Sequence, residues 1–287
     1  MSDALNPPPP KRVFYSTGRM LGVEDFQAEQ DYHRGRLART LLQLHGTGTV
    51  SGLLVQTDGN TDVTKLELQV TPGMAIDRVG RIIEVPRTVC IVLQNWLSQY
   101  VQAWQNQQSG KSPGTPIIAD PNKAIHDGKN LTVDVFATFV ACTRELTPCF
   151  AAPDDYDATD AFSPNRLLDS FAMQLVLRTD DTPPKTPLDP WTSLGPQQPT
   201  LTALRQSILA GTLGPPGKPV EYPPNFDQTA VFLARILVPA IAGTAGHPPV
   251  WNLTGFGSTN IDNASRLFLI PLSVLSRWNG LGSGTAS

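Results

Sequence analysis

Residues 44–53 have the sequence LHGTGTVSGL, and this stretch marks a change from a helical to a β pattern. Three glycines lie in it, Gly46, Gly48 and Gly52, and glycine readily adopts the positive φ angles that tight turns need. Because Gly46 directly follows the last apolar residue of a helical pattern, we expect a left-handed glycine that ends a helix there. The stretch therefore predicts a helix on its N-terminal side and β structure on its C-terminal side.

The segment before this stretch predicts one amphipathic helix over residues 24–44. Its apolar and aromatic side chains recur at steps of three and four residues, which places them on one face of a helix. Glu24 and Asp25 lie where the first turn favours acids, and the arginines lie in the C-terminal half, as the helix dipole favours. The stripe consists of Phe26, Gln30, His33, Leu37, Leu41 and Leu44.

The segment after this stretch predicts a small β-sandwich or barrel over residues 46–93. Residues 66–70 alternate apolar and polar side chains, which is typical of a half-buried strand. Residues 71–73, Thr-Pro-Gly, predict a turn, and residues 74–85 predict a hairpin. Residues 89–93 are continuously apolar, which predicts a strand buried on both faces.

A short helix and then a surface loop are predicted over residues 96–130. Trp96, Tyr100 and Trp104 lie at helical spacing, whereas residues 105–114 are polar and predict a flexible loop. This segment therefore separates a first domain, over residues 13–95, from the C-terminal half of the chain.

A second β domain is predicted over residues 131–278. Apolar side chains occupy alternate positions in residues 131–141 and 171–177, which predicts strands with one buried face. Two further strands are predicted near residues 231–238 and 266–275.

Proline is frequent, at 27 of 287 residues, and it concentrates in two places. Four consecutive prolines favour polyproline II in an extended N-terminal arm over residues 1–12. A proline-rich insertion in the second domain covers about residues 179–229, interrupted by a helix near residues 201–210, and residues 279–287 predict a mobile tail. The expected fold class is mainly β, with β-sandwich or barrel-like domains, an N-terminal amphipathic helix and long proline-rich loops.

The charge content argues against nucleic-acid binding and a membrane span. The chain has 22 Lys and Arg against 25 Asp and Glu, a net charge of −3, and charged residues make up only 16%. Phosphate contacts need clustered Lys and Arg. The apolar runs are shorter than the roughly 20 residues that span a bilayer, and no signal peptide pattern is present. We therefore expect a protein that is cytoplasmic at synthesis.

Motifs of catalysis, cofactor binding and metal binding are missing from the sequence. The histidines lack HExxH spacing, the serines lack GxSxG, and the acidic run at residues 154–160 lacks the glycine and glutamate of a calcium loop. Cys90, Cys142 and Cys149 are odd in number and show no CxxC spacing, which favours buried free thiols. We expect no enzyme, no cofactor and no metal.

Three sequence motifs together resemble a poorly characterised bacterial family found with phage-tail-like contractile injection systems. They are DFQAEQDYHR at residues 25–34, LHGTGTVSGL at 44–53 and PGMAIDRVGR at 72–81, with a weaker echo at residues 144–145 and 163–168. The resemblance implies a structural component of the particle at the baseplate or another tail-end assembly, in contact with other subunits and with copies of itself in a symmetric ring. That particle is either released or anchored. The motif residues are Asp25, Phe26, Tyr32, His45, Gly46, Gly48, Gly52, Pro72, Gly73, Asp77, Gly80 and Arg81.

Two further hypotheses come from single residues. Asp77 and Arg81 are expected to pair across the predicted hairpin and fix its register. As an alternative function, exposed Trp191, Trp251 and Trp278 would let the protein bind glycans or a cell surface, because aromatic faces are platforms for sugars.

Overall fold

The computed structural model describes residues 12–110, 118–148, 162–180, 226–244 and 246–271, together with positions 202, 206, 209, 274 and 275. Within this part of the chain there are eleven strands and two α-helices, so the mainly-β fold class is confirmed. Several predicted features lie outside the described residues. They are residues 1–11 of the arm, the 154–160 acidic run, Cys149, Trp191, Trp278, most of the proline-rich insertion, including all but three positions of its 201–210 helix, and the tail.

Helix α1 spans Val23–His45, which confirms the predicted N-terminal helix. Gly46 ends it, and its N–H donates to the Leu42 carbonyl at 2.9 Å. The φ of Gly46 is positive, at 83°, but its ψ of −156° lies outside the left-handed helical region, because the chain turns directly into the first strand.

Helix α2 spans Leu93–Gln108, so the polar segment predicted to be a loop from residue 105 is helical for its first turn. Glutamine is a good helix former, and Trp104 is buried, which keeps this end of the helix against the core. A 3₁₀ turn, Pro121–Ala124, follows in the segment predicted as a surface loop, and Pro121 and Ala124 are buried.

Three antiparallel sheets contain the strands. The first has the order β1-β4-β5 and the second β2-β3-β6; the third has the order β10-β9-β7-β8, with β11 also paired to β9. The first six strands are β1 Gly48–Gly52, β2 Val55–Thr57, β3 Glu67–Val70, β4 Gly73–Ile76, β5 Ile82–Val85 and β6 Val89–Val92. The other five are β7 Asn130–Pro148, β8 Phe162–Leu177, β9 Val231–Ile241, β10 Val250–Trp251 and β11 Ile261–Asp262.

Strand β6 corrects the prediction of a strand buried on both faces. Cys90 is exposed and its neighbours in the strand are half-buried, because β6 is an edge strand and Cys90 pairs with Gln69 on the polar face of β3. Cys90 is a free thiol, as expected, but it is not buried, and Cys142 is free and half-buried.

Strand β7 corrects the prediction of one buried face. Residues 131–138 are buried on both faces, because β7 is a central strand. A large hydrophobic cluster covers one face, and Phe136 packs with Ala230 and Phe232 in a second cluster on the other.

The segment predicted as a strand at residues 266–275 is not one in its described part. Only residues 267–269 run beside β1, where the Thr49 N–H donates to the Leu267 carbonyl at 2.9 Å and the Leu269 N–H donates to the Thr49 carbonyl at 2.8 Å. Pro271 then interrupts extended pairing, since it has no N–H to donate.

One connected hydrophobic cluster joins the regions on either side of α2, with members from Leu53 to Ile261. The C-terminal segment returns to the first region through Asn263, whose side chain exchanges two hydrogen bonds with the Val55 backbone, at 3.0 and 2.8 Å. The first hairpins and the third sheet are therefore packed against each other, and this packing positions the exposed surfaces of the molecule.

A candidate interaction surface formed by helix α1 and the β7–β8 arm

Helix α1 has no buried residue along its 23 positions. Three apolar side chains of its stripe are more than half exposed: Phe26 at 53%, Leu37 at 55% and Leu44 at 73%. Met20, just before the helix, and Val23, its first residue, are also exposed. Single exposed apolar residues are ordinary, but a contiguous row marks an interaction surface.

One flank of α1, next to the stripe, rests on the turn between β4 and β5. A Cβ atom on Gly80 would lie 2.0 Å from the Ala38 carbonyl oxygen, so only glycine allows the helix to approach the turn this closely. The Arg34 guanidinium lies 3.8 Å from the Asp169 carboxylate on β8. Leu37 and Leu41 line the groove between the helix and this support, together with Ile82.

The predicted pairing of Asp77 with Arg81 is confirmed. Asp77 is fully buried, and its Oδ2 accepts from Arg81 Nε at 2.6 Å while its Oδ1 accepts the N–H groups of Val79 and Arg81 at 3.0 and 2.8 Å. Arg81 also donates to Thr229 Oγ1 at 2.9 Å, and its guanidinium lies 4.7 Å from the centre of the Phe139 ring. It therefore links the hairpin to β7 and to the entry of β9.

The segment before α1 is tied to the first half of the helix. The Asp25 carboxylate accepts from Arg19 at 2.8 Å and from the Gly22 N–H at 3.0 Å, which caps the helix. The Tyr15 hydroxyl donates to Glu29, and this hydrogen bond raises the pKa of Tyr15 above its ordinary value.

Strands β7 and β8 extend beyond the sheet as a two-stranded arm, residues 138–148 and 162–172. Pairing of β7 with β9 ends at Ala137, whereas pairing with β8 continues to Pro148. At about 3.3 Å per residue the arm is roughly 35 Å long. Leu167 and Leu168 on the arm are exposed. A two-stranded ribbon is marginally stable alone in water, so this arm is a second candidate contact.

The twelve predicted motif residues fall into two groups. Asp25, Phe26, Tyr32 and His45 lie on α1, and Asp77, Gly80 and Arg81 lie in the turn that supports it. Gly46, Gly48, Gly52, Pro72 and Gly73 shape the ends of α1, β1 and β4.

In the second group, the backbone at the end of β1 is in close contact with the backbone at the start of β4. A Cβ on Gly52 would lie 2.0 Å from the Pro72 carbonyl oxygen, and one on Gly73 would lie 2.3 Å from the Ser51 carbonyl oxygen. These glycines are structural, since their close contacts are with backbone of the same chain.

A buried ionic network joins β7, β9 and the end of β8, and sequence reasoning missed it. Asp134 accepts from Arg178 at 2.5 Å and from Arg235 at 2.7 and 2.8 Å, and Arg178 also donates to Asp180 at 2.9 and 2.7 Å. Burial alone would lower the pKa of Arg178, but the hydrogen bonds to Asp180 and the charge of Asp134 raise it. The sequence held a signal for this network, because Asp134 and Arg235 each lie inside an otherwise apolar strand.

The loop between β2 and β3 carries two acids, Asp58 and Asp62, and backbone N–H groups of the same loop donate to both. Asp58 accepts the N–H of Asn60 at 3.1 Å, and Asp62 accepts that of Thr64 at 3.1 Å. Across the described part of the chain, no three His, Cys, Asp or Glu side chains converge as metal ligands would. Neither described helix is long and apolar enough to cross a membrane.

Trp251 is half-buried, which corrects the expectation of an exposed platform. Its indole N–H donates to Gln94 Oε1 at 2.8 Å, and the ring packs against the core cluster. Trp251, on β10, therefore contacts α2 and the core of the same chain rather than presenting an exposed ring face.

No protein-family model matches the chain, and no curated protein is significantly similar to it. The resemblance of the three motifs to injection-system proteins therefore stays a prediction. The geometry of α1 and the arm is the basis on which a function can be proposed.

Proposed function

We propose that the protein is a structural, non-enzymatic subunit of a larger particle and acts through contacts with neighbouring subunits. The observation that carries this proposal is that α1, the longest helix described, has an apolar stripe and no buried side chain. In folded proteins such a stripe is normally covered, because covering it removes apolar surface from water. Neighbouring subunits would cover it in the particle.

The β7–β8 arm supports the same function. The outer part of the arm, beyond Phe139 and Asp169, can reach across a subunit boundary, and exposed Leu167 and Leu168 offer apolar contacts there. In a ring closed by two alternating two-fold contacts, each subunit needs two such surfaces, one for each neighbour. We propose that α1 and the arm are those surfaces.

The class of particle is proposed from the motif resemblance: a phage-tail-like contractile injection particle, with the subunit at the baseplate or another tail-end assembly. Three of the motif residues support it because they hold the fold together: Asp77 and Gly80 are buried, and the backbone at Gly52 is in close contact with Pro72. We also propose that the sheets of residues 48–92 form a β-sandwich or barrel-like unit.

The test is to express the affinity-tagged full chain in its native host, purify through the tag and image the eluate by negative-stain electron microscopy. The expected result is tag density at the tail end of sheathed particles. A chain that elutes as a monomer, even at high concentration, and without particles would overturn the proposal.

A further inference from the structure

The charges of α1 divide the helix into two halves of opposite sign. Residues 23–32 contain four acids and no Lys or Arg, and residues 33–45 contain three arginines and no acid. Two copies of this helix that lie antiparallel would each place an acidic half beside a basic half. Side by side in the parallel sense, like charges would meet. The acids are Glu24, Asp25, Glu29 and Asp31, and the arginines are Arg34, Arg36 and Arg39.

We propose that two copies of this chain pair through α1 in an antiparallel, two-fold contact. This inference rests on the proposed function, since it names a second copy as the partner of the α1 surface. In a two-fold contact the same patch meets itself, so each favourable pair occurs twice.

Glu29 and Arg36 set the register of the contact. They are seven residues apart, about two helical turns, so both lie on the same side of the apolar stripe. In an antiparallel pair, side chains on the same flank of both helices meet. Glu29 of each copy therefore faces Arg36 of the other.

This register also pairs the exposed apolar side chains. With Glu29 opposite Arg36, counting along the two helices places Phe26 between Leu37 and Leu41 of the second copy. Leu44 then lies at the N-terminal end of the second copy's α1, where Val23 is also exposed. The same alignment therefore pairs opposite charges and also brings the exposed apolar side chains of the two copies into contact.

Both charged groups can take part in the contact. Arg36 is exposed, and its guanidinium lies 5.9 Å from the centre of the Tyr32 ring. Glu29 accepts from the Tyr15 hydroxyl with Oε2, and its Oε1 lies 3.8 Å from His33 Nε2. A carboxylate has about four acceptor positions, so Glu29 retains capacity for an arginine.

The experiment measures the dimer dissociation constant of the full chain by sedimentation equilibrium, for the wild type, Glu29→Arg and Arg36→Glu. Each single variant sets like charges against each other twice, and we expect its dissociation constant to rise about tenfold. An equimolar mixture of the two variants restores both attractive pairs. It is expected to form a heterodimer with nearly the wild-type dissociation constant.

Asp31→Arg and Arg39→Glu are matched controls. They make the same charge changes in the same halves of α1, but on the side of the helix away from the stripe. We expect less than a threefold change for each.

Three outcomes would overturn the inference: a wild type that stays monomeric, variants that dimerise as well as the wild type, or a mixture that fails to restore dimerisation. If the particles purified through the tag still contain the protein, the proposed function stands and only the α1 pairing is wrong. Circular dichroism of each variant shows whether the helix is intact.

Discussion

Helices α1 and α2 both carry apolar side chains at helical spacing, yet they use them differently. The 16-residue α2 buries Leu93, Leu97 and Trp104, whereas the 23-residue α1 buries nothing. Its contact with the rest of the chain runs along one flank, through Ala38 and Gly80. An apolar stripe in the sequence therefore predicts which face of a helix forms contacts. Whether those contacts are made within the same chain can be read only from the tertiary structure.

The largest expected effect on stability comes from a substitution in α2, whose apolar side chains are buried in the core. Leu97 is buried in α2, so Leu97→Ala leaves a cavity and is expected to lower the free energy of unfolding by about 2–5 kcal/mol. Urea unfolding of the full chain at low concentration measures this. A loss below about 1 kcal/mol would show that α2 is not anchored through Leu97.

The next effect concerns the contact between Gly80 and the backbone of α1 at Ala38. Gly80→Ala would bring a Cβ to 2.0 Å from the Ala38 carbonyl oxygen and strain a residue with a φ of 86°. Gly59 is the control, because it has a φ of 70° and nothing within 4 Å of its Cβ position. We expect Gly80→Ala to cost about 1–3 kcal/mol more than Gly59→Ala in the same unfolding experiment. Equal costs would mean that α1 does not rest on this turn.

A smaller effect is expected at high pH, and it concerns α2. Burial, with the charge of Asp120, raises the pKa of Tyr100 to about 12, and its hydroxyl donates to the Ala119 carbonyl at 3.1 Å. A raised pKa stabilises the fold fully below the unfolded value near ~10, and that stabilisation is lost as the pH rises towards 12.

The test is to measure melting temperatures between roughly pH 9 and 12, the range that includes the unfolded and folded pKa values of Tyr100. The wild type is expected to lose more stability across the window than Tyr100→Phe. Burial also lowers the pKa of Arg266 to about 10, which acts in the opposite direction, but it does so in both proteins. Parallel curves for the two proteins would contradict the role of Tyr100.

The smallest effect on stability is expected where α1 is exposed. Phe26→Ala removes a side chain that is 53% exposed, so the unfolding free energy of the dilute protein should change by less than about 0.5 kcal/mol. The same substitution is expected to weaken self-association at high protein concentration. A large loss of stability without any change in association would assign Phe26 to the fold of the single chain.

Local features of the fold could be predicted from the sequence because their causes are local. The period of the apolar residues and the position of Gly46 predicted α1, whose observed bounds, Val23–His45, differ from 24–44 by one residue at each end. The turn at Gly80 and the pairing of Asp77 with Arg81 lie within a few residues of each other along the chain.

The remaining features depend on contacts between distant residues. The alternating apolar side chains of residues 131–141 predicted one buried face for β7, but Asp134 on the other face pairs in the interior with Arg235, 101 residues away. The apolar run after Arg266 suggested a strand, but Arg266 and Asn263 instead hold that segment against the first region through the Leu53 and Val55 backbones. The exposure of α1 belongs here too, since the stripe itself was predicted and the lack of cover was not.

Amide hydrogen exchange of the full chain at two concentrations, one dilute and one at which it associates, tests the central claim most directly. With α1 as the contact between copies, exchange along Val23–His45 slows as the concentration rises, while exchange along Leu93–Gln108 stays the same. The second helix is thus an internal control in the same sample. Exchange in α1 that is equally fast at both concentrations, in a sample shown to be associated, would contradict the claim.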